Sequence, residues 1–270
     1  MANVLVDRNE HVTVLTLNRP EKLNAFSGAM IDELRAAMVD FRADADQYVA
    51  VLTGSGRAFS AGFDLNEMAS LVSERNASVG VTSIDLWGVG DCPKPTIAAV
   101  NGLAVAGGFE LSLCCDIRVA ASDAWFALSE VKRGIMAGVG VNVLARYLPL
   151  GEALYLLLTA ERLAASEAHR LGLVQRLCAP EDVLDQAMEI AASISANSQV
   201  AVQASKRVAY FWRNLAVQEQ LGYYRAINER LMLCDDVIEG TRAFVEKRDA
   251  RFTNRWRTRE GSGGEPLSGG

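Results

Sequence analysis

Short apolar runs that stop at glycine or polar residues, with helical patterns between them, constrain the fold of this chain more than any other feature. Three such runs, residues 48–53, 96–100 and 117–120, have the length of buried strands rather than of buried helices. A helical pattern over residues 30–41, with Ser27 as its predicted N-cap, precedes the first run. Strands separated by helices predict an α/β fold in which most strands pair in parallel.

The two ends of the chain differ from this core pattern. Residues 4–6 and 12–17 have strand character with a polar turn between them, which predicts a hairpin. After Gly140 the spacing of apolar residues becomes helical. The predicted helices cover residues 144–147, 151–158, 166–171, 182–194, 200–212 and 216–233, and a last helix is capped by Asp235 and Asp236 and continues to Val245.

These patterns divide the chain into three parts. Residues 1–195 are predicted to form the α/β core, residues 196–258 a helical C-terminal region, and residues 259–270 a flexible tail rich in glycine and serine. Within the core, residues 58–65 are predicted to form a loop and residues 66–72 a helical stretch. The long apolar stripes of the C-terminal helices favour an oligomer.

Composition excludes several classes of function. Half of the 270 residues are hydrophobic, so a large core can form, and the net charge of −6 argues against general binding to nucleic acid. Five cysteines with no CxxC spacing argue against a disulfide framework or a zinc site and favour a reducing compartment. Only His11 and His169 are present, so neither a Ser-His-Asp triad nor an HExxH helix is expected. With no signal-like start and no long uncharged apolar run, we expect a cytoplasmic protein without a membrane segment.

Two glycine-containing segments that follow strands are candidates for a site. Residues 58–65 can point backbone N–H groups at an anion, although an ordinary strand-to-helix turn explains the same pattern. Gly107 and Gly108 lie where a helix begins, so a ligand could approach unpaired N–H groups there. Glu110, in the first turn, either has a chemical role or simply complements the helix dipole. No GxGxxG pattern occurs here, so a dinucleotide site is not predicted.

A second acid, Glu130, lies in the apolar segment 126–138. A carboxyl group in apolar surroundings has a raised pKa, which suits an acid or base near neutral pH. The alternative is a surface glutamate that pairs with Lys132 or Arg133.

Together these segments resemble the crotonase family, also called the enoyl-CoA hydratase/isomerase family, across about residues 3–257. The order and spacing of several motifs carry the resemblance. The motifs are residues 18–20, 23–25, 59–65, 93–95, 106–111 and 115–116, then Glu130, Gly134 and Gly138, and finally residues 236–240 and 244–248. The resemblance implies a crotonase-type core, which is a spiral of ββα turns, and a helical C-terminal trimerisation region.

The resemblance also implies a reaction on an acyl-CoA thioester. The backbone N–H groups of Phe63 and Gly107 would form an oxyanion hole for the thioester carbonyl. Glu110 and Glu130, 20 residues apart, match the two glutamates of the family's hydratases. In the implied reaction both carboxyl groups hold one water over the double bond of a 2-enoyl-CoA. Glu110 orients and activates this water, and Glu130 transfers the proton at Cα.

Further implications concern binding and assembly. Substrate or CoA is expected to contact Lys22, Ala25, Ala61, Asp64, Leu65, Gly108, Gly138 and Lys247. Ala61 and Leu65 are expected on the adenine side, and Lys22 or Lys247 at a phosphate. CoA is part of the substrate, so no separate cofactor and no metal are expected. The implied assembly is a homotrimer or a dimer of trimers.

Three positions depart from the family pattern. Phe63 is bulkier than the small residue often found there, and Ser129 and Ala137 replace frequent prolines. These changes bear on the acyl chain that is accepted more than on the fold.

Rival functions are an enoyl-CoA isomerase, which can work with one acid, another acyl-CoA enzyme with the same oxyanion hole, and a non-catalytic acyl-CoA-binding protein. The presence of both glutamates favours the hydratase.

Overall fold

The computed structural model describes residues 2–67 and 85–253 and the backbone of residues 255–256 and 265–266. Within the helix Gln199–Met232, only the backbone is described at residues 211–219. The strands are β1 Val4–Asn9, β2 Val12–Leu17, β3 Val49–Gly54, β4 Ala58–Ser60, β5 Thr96–Val100, β6 Leu103–Val105, β7 Ile117–Ala121, β8 Trp125–Ala127, β9 Leu163–Ala164, β10 Arg176–Cys178, β11 Arg255–Trp256 and β12 Glu265–Pro266. The helices are α1 Gly28–Ala43, α2 Gly107–Cys114, α3 Gly138–Tyr147, α4 Leu150–Thr159, α5 Ala165–Arg170, α6 Val183–Ser195, α7 Gln199–Met232 and α8 Asp235–Val245. Short 3-10 helices cover Pro20–Lys22, Glu130–Arg133 and Pro180–Asp182.

The larger sheet has the order β1-β2-β3-β5-β7-β10. Its first two strands form the predicted antiparallel hairpin, and every later neighbour pairs in parallel, which confirms the predicted α/β pattern. The central strands β3 and β5 are buried along their whole length. Strands that are buried on both faces read as continuous apolar runs, as these two do. The predicted cap of α1 is also confirmed, since the Ser27 hydroxyl accepts the N–H of Met30 at 3.2 Å.

A second, smaller sheet has the order β4-β6-β8-β9 and supports the two glycine turns. The prediction of a loop over residues 58–65 is wrong at its start, because β4 pairs there with β6. α2 begins directly after β6 and packs on β4 so closely that a Cβ on Gly108 would lie 2.2 Å from the carbonyl oxygen of Ser60. Only glycine fits this contact, so the Gly-Gly pair fixes how the helix start meets the sheet.

Several helix boundaries differ from the predictions. Residues 199–232 form one helix of 34 residues where two were predicted. α3 begins at Gly138, earlier than its apolar spacing indicated. Asp235 and Asp236 do not cap α8, because they lie in its first turn and Cys234 is the N-cap without a side-chain bond. In the tail that was predicted to be flexible, Glu265–Pro266 pair in an antiparallel arrangement with Arg255–Trp256.

The helical stretch predicted over residues 66–72 is helical at 66 and 67, and its remainder lies outside the described residues. In the part of the chain that is described, no helix has both the length and the apolar character needed to cross a bilayer.

α7 and α8 lie against the core and are fixed to it at two places. Lys206 and Tyr210 of α7 bond to the carboxylate of Asp116 at 2.6 and 2.8 Å, just before β7. α8 packs on the 3-10 helix that begins at Glu130, where a Cβ on Gly240 would lie 2.3 Å from the carbonyl oxygen of Arg133. The C-terminal helices therefore pass over the region that contains both candidate acids.

Candidate active site

Glu110 lies in α2 and caps a different helix. Its side chain is 2% exposed, and its Oε1 accepts the N–H groups of Val139 and Gly140 at 2.7 and 2.9 Å. These are unpaired donors of the first turn of α3, whose N-cap residue, Ala137, has no side chain that can accept them. The carboxylate thus takes the place of a capping side chain and also meets the positive end of the helix dipole.

Glu130 is buried in a less polar environment. It begins the 3-10 helix Glu130–Arg133, it is 7% exposed, and its Oε2 has no hydrogen-bond partner among the described residues. The alternative of a surface ion pair is not found there, because Lys132 donates to the carbonyl of Ala160 and Arg133 stacks on Phe244. An unpartnered buried carboxyl oxygen is costly, and groups of this kind cluster at functional sites.

Burial and mutual repulsion set the protonation of this pair. Desolvation raises the pKa of Glu110, while the N–H groups of Gly140, Val139 and Gly138 oppose that effect. Desolvation also raises the pKa of Glu130, well above its ordinary value, and the negative charge of Glu110 raises it further. Of the two carboxyls, Glu130 is therefore the one that favours its protonated form more strongly. Two carboxyls in unlike surroundings can divide the roles of acid and base.

The two glycine turns contact each other beside Glu110. A Cβ on Gly62 would lie 2.9 Å from the amide nitrogen of Gly107, and a Cβ on Gly107 would lie 3.1 Å from the ring of Phe63. Phe63 pairs with Phe26 in a parallel bridge that uses the amides of Phe26 and Asp64, so the N–H of Phe63 is not used by this bridge. The N–H of Gly107 is the first of α2 and has no partner within its helix.

Strained backbone at Ala106 sets the direction of the Gly107 N–H. Ala106 has φ 50° and ψ −125°, a conformation that L residues rarely adopt and that costs about 1–3 kcal/mol. Two bonds hold it, from its own N–H to the carbonyl of Ala127 at 2.8 Å and from the N–H of Glu110 to its carbonyl at 2.9 Å. Strain that is retained in this way points to a functional site.

The bulky side chain at position 63 is part of an aromatic cluster. Its ring meets Phe26 and Trp87 edge to face, each with a centroid distance of 5.9 Å. The ring therefore forms a fixed wall beside Gly107.

The loop expected to bind CoA is built around Asn24. Its Nδ2 donates to the carbonyls of Ser55 and Ala58 at 2.9 and 2.8 Å, and its own carbonyl accepts the Ser60 hydroxyl at 2.8 Å. These bonds tie the segment with Lys22 and Ala25 to the turn with Ala61 and Asp64. The carboxylate of Asp64 forms an ion pair with Arg19 at 3.3 Å, so in this structure Asp64 stabilises the loop.

A cavity of about 740 Å³ lies between α8 and the 3-10 helix of Glu130. Its lining includes Asn66, Lys132, Arg133, Phe244, Lys247 and Arg248. Arg248 is engaged by Glu239 and Glu246, whereas Lys247 forms no ion pair within residues 2–67 and 85–253. Lys247 therefore lies at a basic cavity that Asn66, the residue after Leu65, also lines. Lys22 and Ala25 do not belong to the lining of this cavity.

Sequence reasoning missed several residues that build the site. The amides of Val139 and Gly140 were not singled out, although a glycine-rich helix start after an apolar segment is a detectable signal. Arg19 belongs to the motif at residues 18–20, but its ion pair with Asp64 was not predicted. Tyr224 and Asn228 were also missed. They are buried polar residues one turn apart on α7, and their spacing is visible in the sequence. Among the described residues, no group of histidine, cysteine and acidic side chains has the arrangement of a metal site.

The family model described as enoyl-CoA hydratase/isomerase matches residues 7–255. The chain belongs to this family. A probable enoyl-CoA hydratase of Mycobacterium tuberculosis is 36% identical over 254 residues, which are 93% of this chain and 98% of that protein. The enoyl-CoA hydratase/isomerase fold is therefore shared along almost the whole chain.

Solved structures agree with this family membership. The chain is similar to a carnitinyl-CoA dehydratase from Mycobacterium avium, with a TM-score of 0.84, 34% identity, and coverage of 94% of this chain and 100% of that one. It is also similar to a monofunctional enoyl CoA isomerase from M. smegmatis, with a TM-score of 0.67, 31% identity, and coverage of 79% and 95%. The predicted crotonase-type fold is confirmed, and the family includes more than one reaction.

The raised pKa of Glu130 predicts that this residue destabilises the fold at neutral pH. A carboxyl whose pKa is higher in the folded than in the unfolded protein makes its full contribution to folding stability below the unfolded pKa, here 4.5. That contribution is lost as the pH rises through the pKa of the folded protein. We expect Glu130→Gln, which is neutral throughout, to be more stable than wild type at pH 7 and no more stable at pH 4. Each pH unit between the unfolded and the folded pKa lowers the free energy of unfolding of the wild type by about 1.4 kcal/mol.

Chemical denaturation at both pH values measures this difference, with the exposed Glu161→Gln as the control. If the stability of Glu130→Gln relative to wild type is the same at pH 4 and pH 7, the buried carboxyl does not destabilise the fold at neutral pH.

Proposed function

We propose that this chain is an enoyl-CoA hydratase, which adds water reversibly to a 2-enoyl-CoA to give a 3-hydroxyacyl-CoA. The observation that carries this proposal is the pair of buried, electrostatically coupled carboxyls at Glu110 and Glu130 beside two adjacent backbone donors. Relatives with hydratase names support it. The enzyme needs no cofactor beyond the CoA of its substrate, and its free cysteines fit the reducing cytoplasm.

In the proposed reaction the thioester carbonyl accepts the N–H groups of Phe63 and Gly107. Charge develops on this oxygen as the enolate forms, and fixed donors of this kind contribute roughly 2.7–4 kcal/mol each. Ionised Glu110 takes a proton from the water while the water oxygen bonds to Cβ. Protonated Glu130 gives its proton to Cα. The pair begins and ends with one proton, so a transfer between the two carboxyls restores the starting state.

The main rival within the family is an isomerase, which moves a proton between two carbons and can work with one acid. The second acid, held by two amides and stabilised in its ionised form, has its best use in activating water. A binding protein without activity has no need of the unpartnered, buried carboxyl of Glu130, which costs stability.

We expect Glu110→Gln and Glu130→Gln each to lower kcat for hydration of crotonyl-CoA by about 10²- to 10⁴-fold, the usual contribution of a general acid or base. Loss of the enoyl-thioester absorbance measures the reaction. Circular dichroism checks that the variants are folded, and Glu161→Gln is the matched surface control.

Near-normal kcat in the Glu130 variant contradicts its assigned role. If wild type binds crotonyl-CoA but converts neither it nor 3-enoyl-CoA substrates, the binding-protein alternative replaces the hydratase.

The basic cavity beside α8 is our proposed site for the nucleotide end of CoA. It adjoins the 3-10 helix of Glu130, and the ammonium group of Lys247 is its exposed, unpaired cation among the described residues. Lys22, which is exposed on the other loop, is the alternative phosphate contact. Ala61, Leu65, Gly108 and Gly138 are proposed to line the path between this cavity and the acids.

Lys247→Gln removes the charge and keeps a polar side chain that is one atom shorter. We expect it to raise KM for crotonyl-CoA about five- to tenfold, the effect of losing one partly exposed phosphate contact, with kcat unchanged. KM for crotonyl-pantetheine, which lacks the nucleotide, should not change. The same pair of assays on Lys22→Gln decides between the two lysines, and an equal effect on both substrates contradicts a phosphate contact.

A homotrimer, or a dimer of trimers, is our proposed assembly. Leu150, Leu154 and Leu158 of α4 form an apolar row, 42–70% exposed, whose 4-residue spacing places them on one face. Rows of this kind on a folded chain mark interfaces, and a second copy of this chain is the occupant that a homotrimer would supply, with α4 adding a core surface to the contacts of the C-terminal region.

Leu154→Glu with Leu158→Glu should convert the assembly to smaller species, because charged groups would be buried at the contact. Sedimentation equilibrium should give three or six chains per particle for wild type. A monomeric wild type contradicts the proposal, and Glu161→Gln should leave the mass unchanged.

A further inference from the structure

One face of α7 lies above the acid pair. At one end, Gln220 donates to the carbonyl of Val141 at 3.3 Å, next to the amides that bind Glu110. At the other end, Met232 packs with Val237 and Ile135, just after the 3-10 helix of Glu130. The stretch between Gln220 and Met232 therefore crosses from one acid to the other.

Two polar side chains on this stretch point inward. Tyr224 is 5% exposed and Asn228 is 7% exposed, one helical turn apart, while residues 222, 223, 225, 226, 229 and 230 are exposed. Neither the Tyr224 hydroxyl nor the Asn228 amide forms a hydrogen bond with any described residue. No polar atom of Tyr224 or Asn228 is among the fully enclosed atoms that lack a partner, so both polar groups reach an accessible space. Two such groups on one face, without a partner among the described residues, indicate a ligand or water between them and the acids.

The neighbours of Tyr224 define the chemistry of this space. Burial raises the pKa of its phenol, and the negative charges of Glu110 and Glu130 raise it further. The phenol therefore remains a hydrogen-bond donor at all physiological pH values. The nearby cations of the stretch, Arg225 and Arg230, lie on the exposed side of the helix.

We propose that Tyr224 and Asn228 form a polar subsite for the acyl chain, which recognises a neutral hydrogen-bonding group, such as a hydroxyl, carried beyond the double bond. This inference rests on the proposed hydratase function and deepens it. Neutral donors facing two carboxyls disfavour an anionic acyl group, because the described cations of this stretch, Arg225 and Arg230, lie on its exposed side and would not offset the charge. A purely apolar chain is also disfavoured, because it would displace water from this amide and phenol and leave both without a partner.

The test compares substrates that share one carbon chain. These are 2-hexenoyl-CoA, its 4-, 5- and 6-hydroxy derivatives, and the analogue whose last carbon is a carboxylate. For wild type we expect at least one hydroxy derivative to equal or exceed 2-hexenoyl-CoA in kcat/KM, and the carboxylate to be the poorest. Arg146, which donates to Gln220 at 3.2 Å, is the nearby described cation that would reverse this last order if it reached the carboxylate.

Tyr224→Phe keeps the ring and removes the hydroxyl, and Asn228→Leu keeps the volume and removes the amide. Each should lower kcat/KM for the best hydroxy derivative about tenfold, the usual loss for one hydrogen bond, and leave 2-hexenoyl-CoA unchanged or improved. Tyr223→Phe, at the exposed neighbour on the same helix, should change neither substrate.

An equal loss for both substrates, a wild-type preference for 2-hexenoyl-CoA over every hydroxy derivative, or a preference for the carboxylate overturns the subsite. Failure of the hydratase proposal has a different signature, which is no turnover of any 2-enoyl-CoA. Calorimetric binding of saturated hexanoyl-CoA and its hydroxy derivatives to wild type and Tyr224→Phe then still decides the subsite, because it requires no reaction.

Discussion

The two hydrogen bonds from Val139 and Gly140 to the carboxylate of Glu110 are the contact on which the rest of the site depends. They join α2, the helix that follows β6, to α3, the helix that follows Glu130, and they hold a buried carboxylate between the two. Without them the ionised carboxylate would be too costly to bury, and the start of α3 would lack a cap. One side chain thus links two helix starts and the candidate chemistry.

The site also shows how the chain distributes its strain. The left-handed backbone at Ala106 and the unpartnered oxygen of Glu130 both cost stability, and the large buried sheet behind them provides it. The strained residue lies directly between a strand end and a helix start, where neighbouring hydrogen bonds determine its conformation. Such concentration of unfavourable local features within a well-packed core is typical of functional sites, since the surroundings must hold them in place.

The parts of the molecule that follow local rules could be predicted from the sequence. Buried strands such as β3 and β5, and the helix capped by Ser27, need only apolar spacing and one capping residue. The motif resemblance singled out Glu110, Glu130, Phe63 and Gly107, because short motifs record positions along the chain, and the roles of these residues stay predictions. Three-residue strands such as β4 were missed because their pairing partners are distant in sequence. Tyr224 was missed because its role depends on where a distant helix docks, and helical spacing alone does not indicate that.

The continuity of α7 has a consequence for how this enzyme could diversify. A helix of 34 residues is about 51 Å long, and it joins the anchor at Asp116 to the space above the acids as one rigid body. The acids and the oxyanion turns belong to other elements. Substitutions at one or two positions of this helix would therefore alter the acyl groups that are accepted while the reaction itself stays the same, so descendants of one gene could acquire new substrates by small steps without passing through an inactive form.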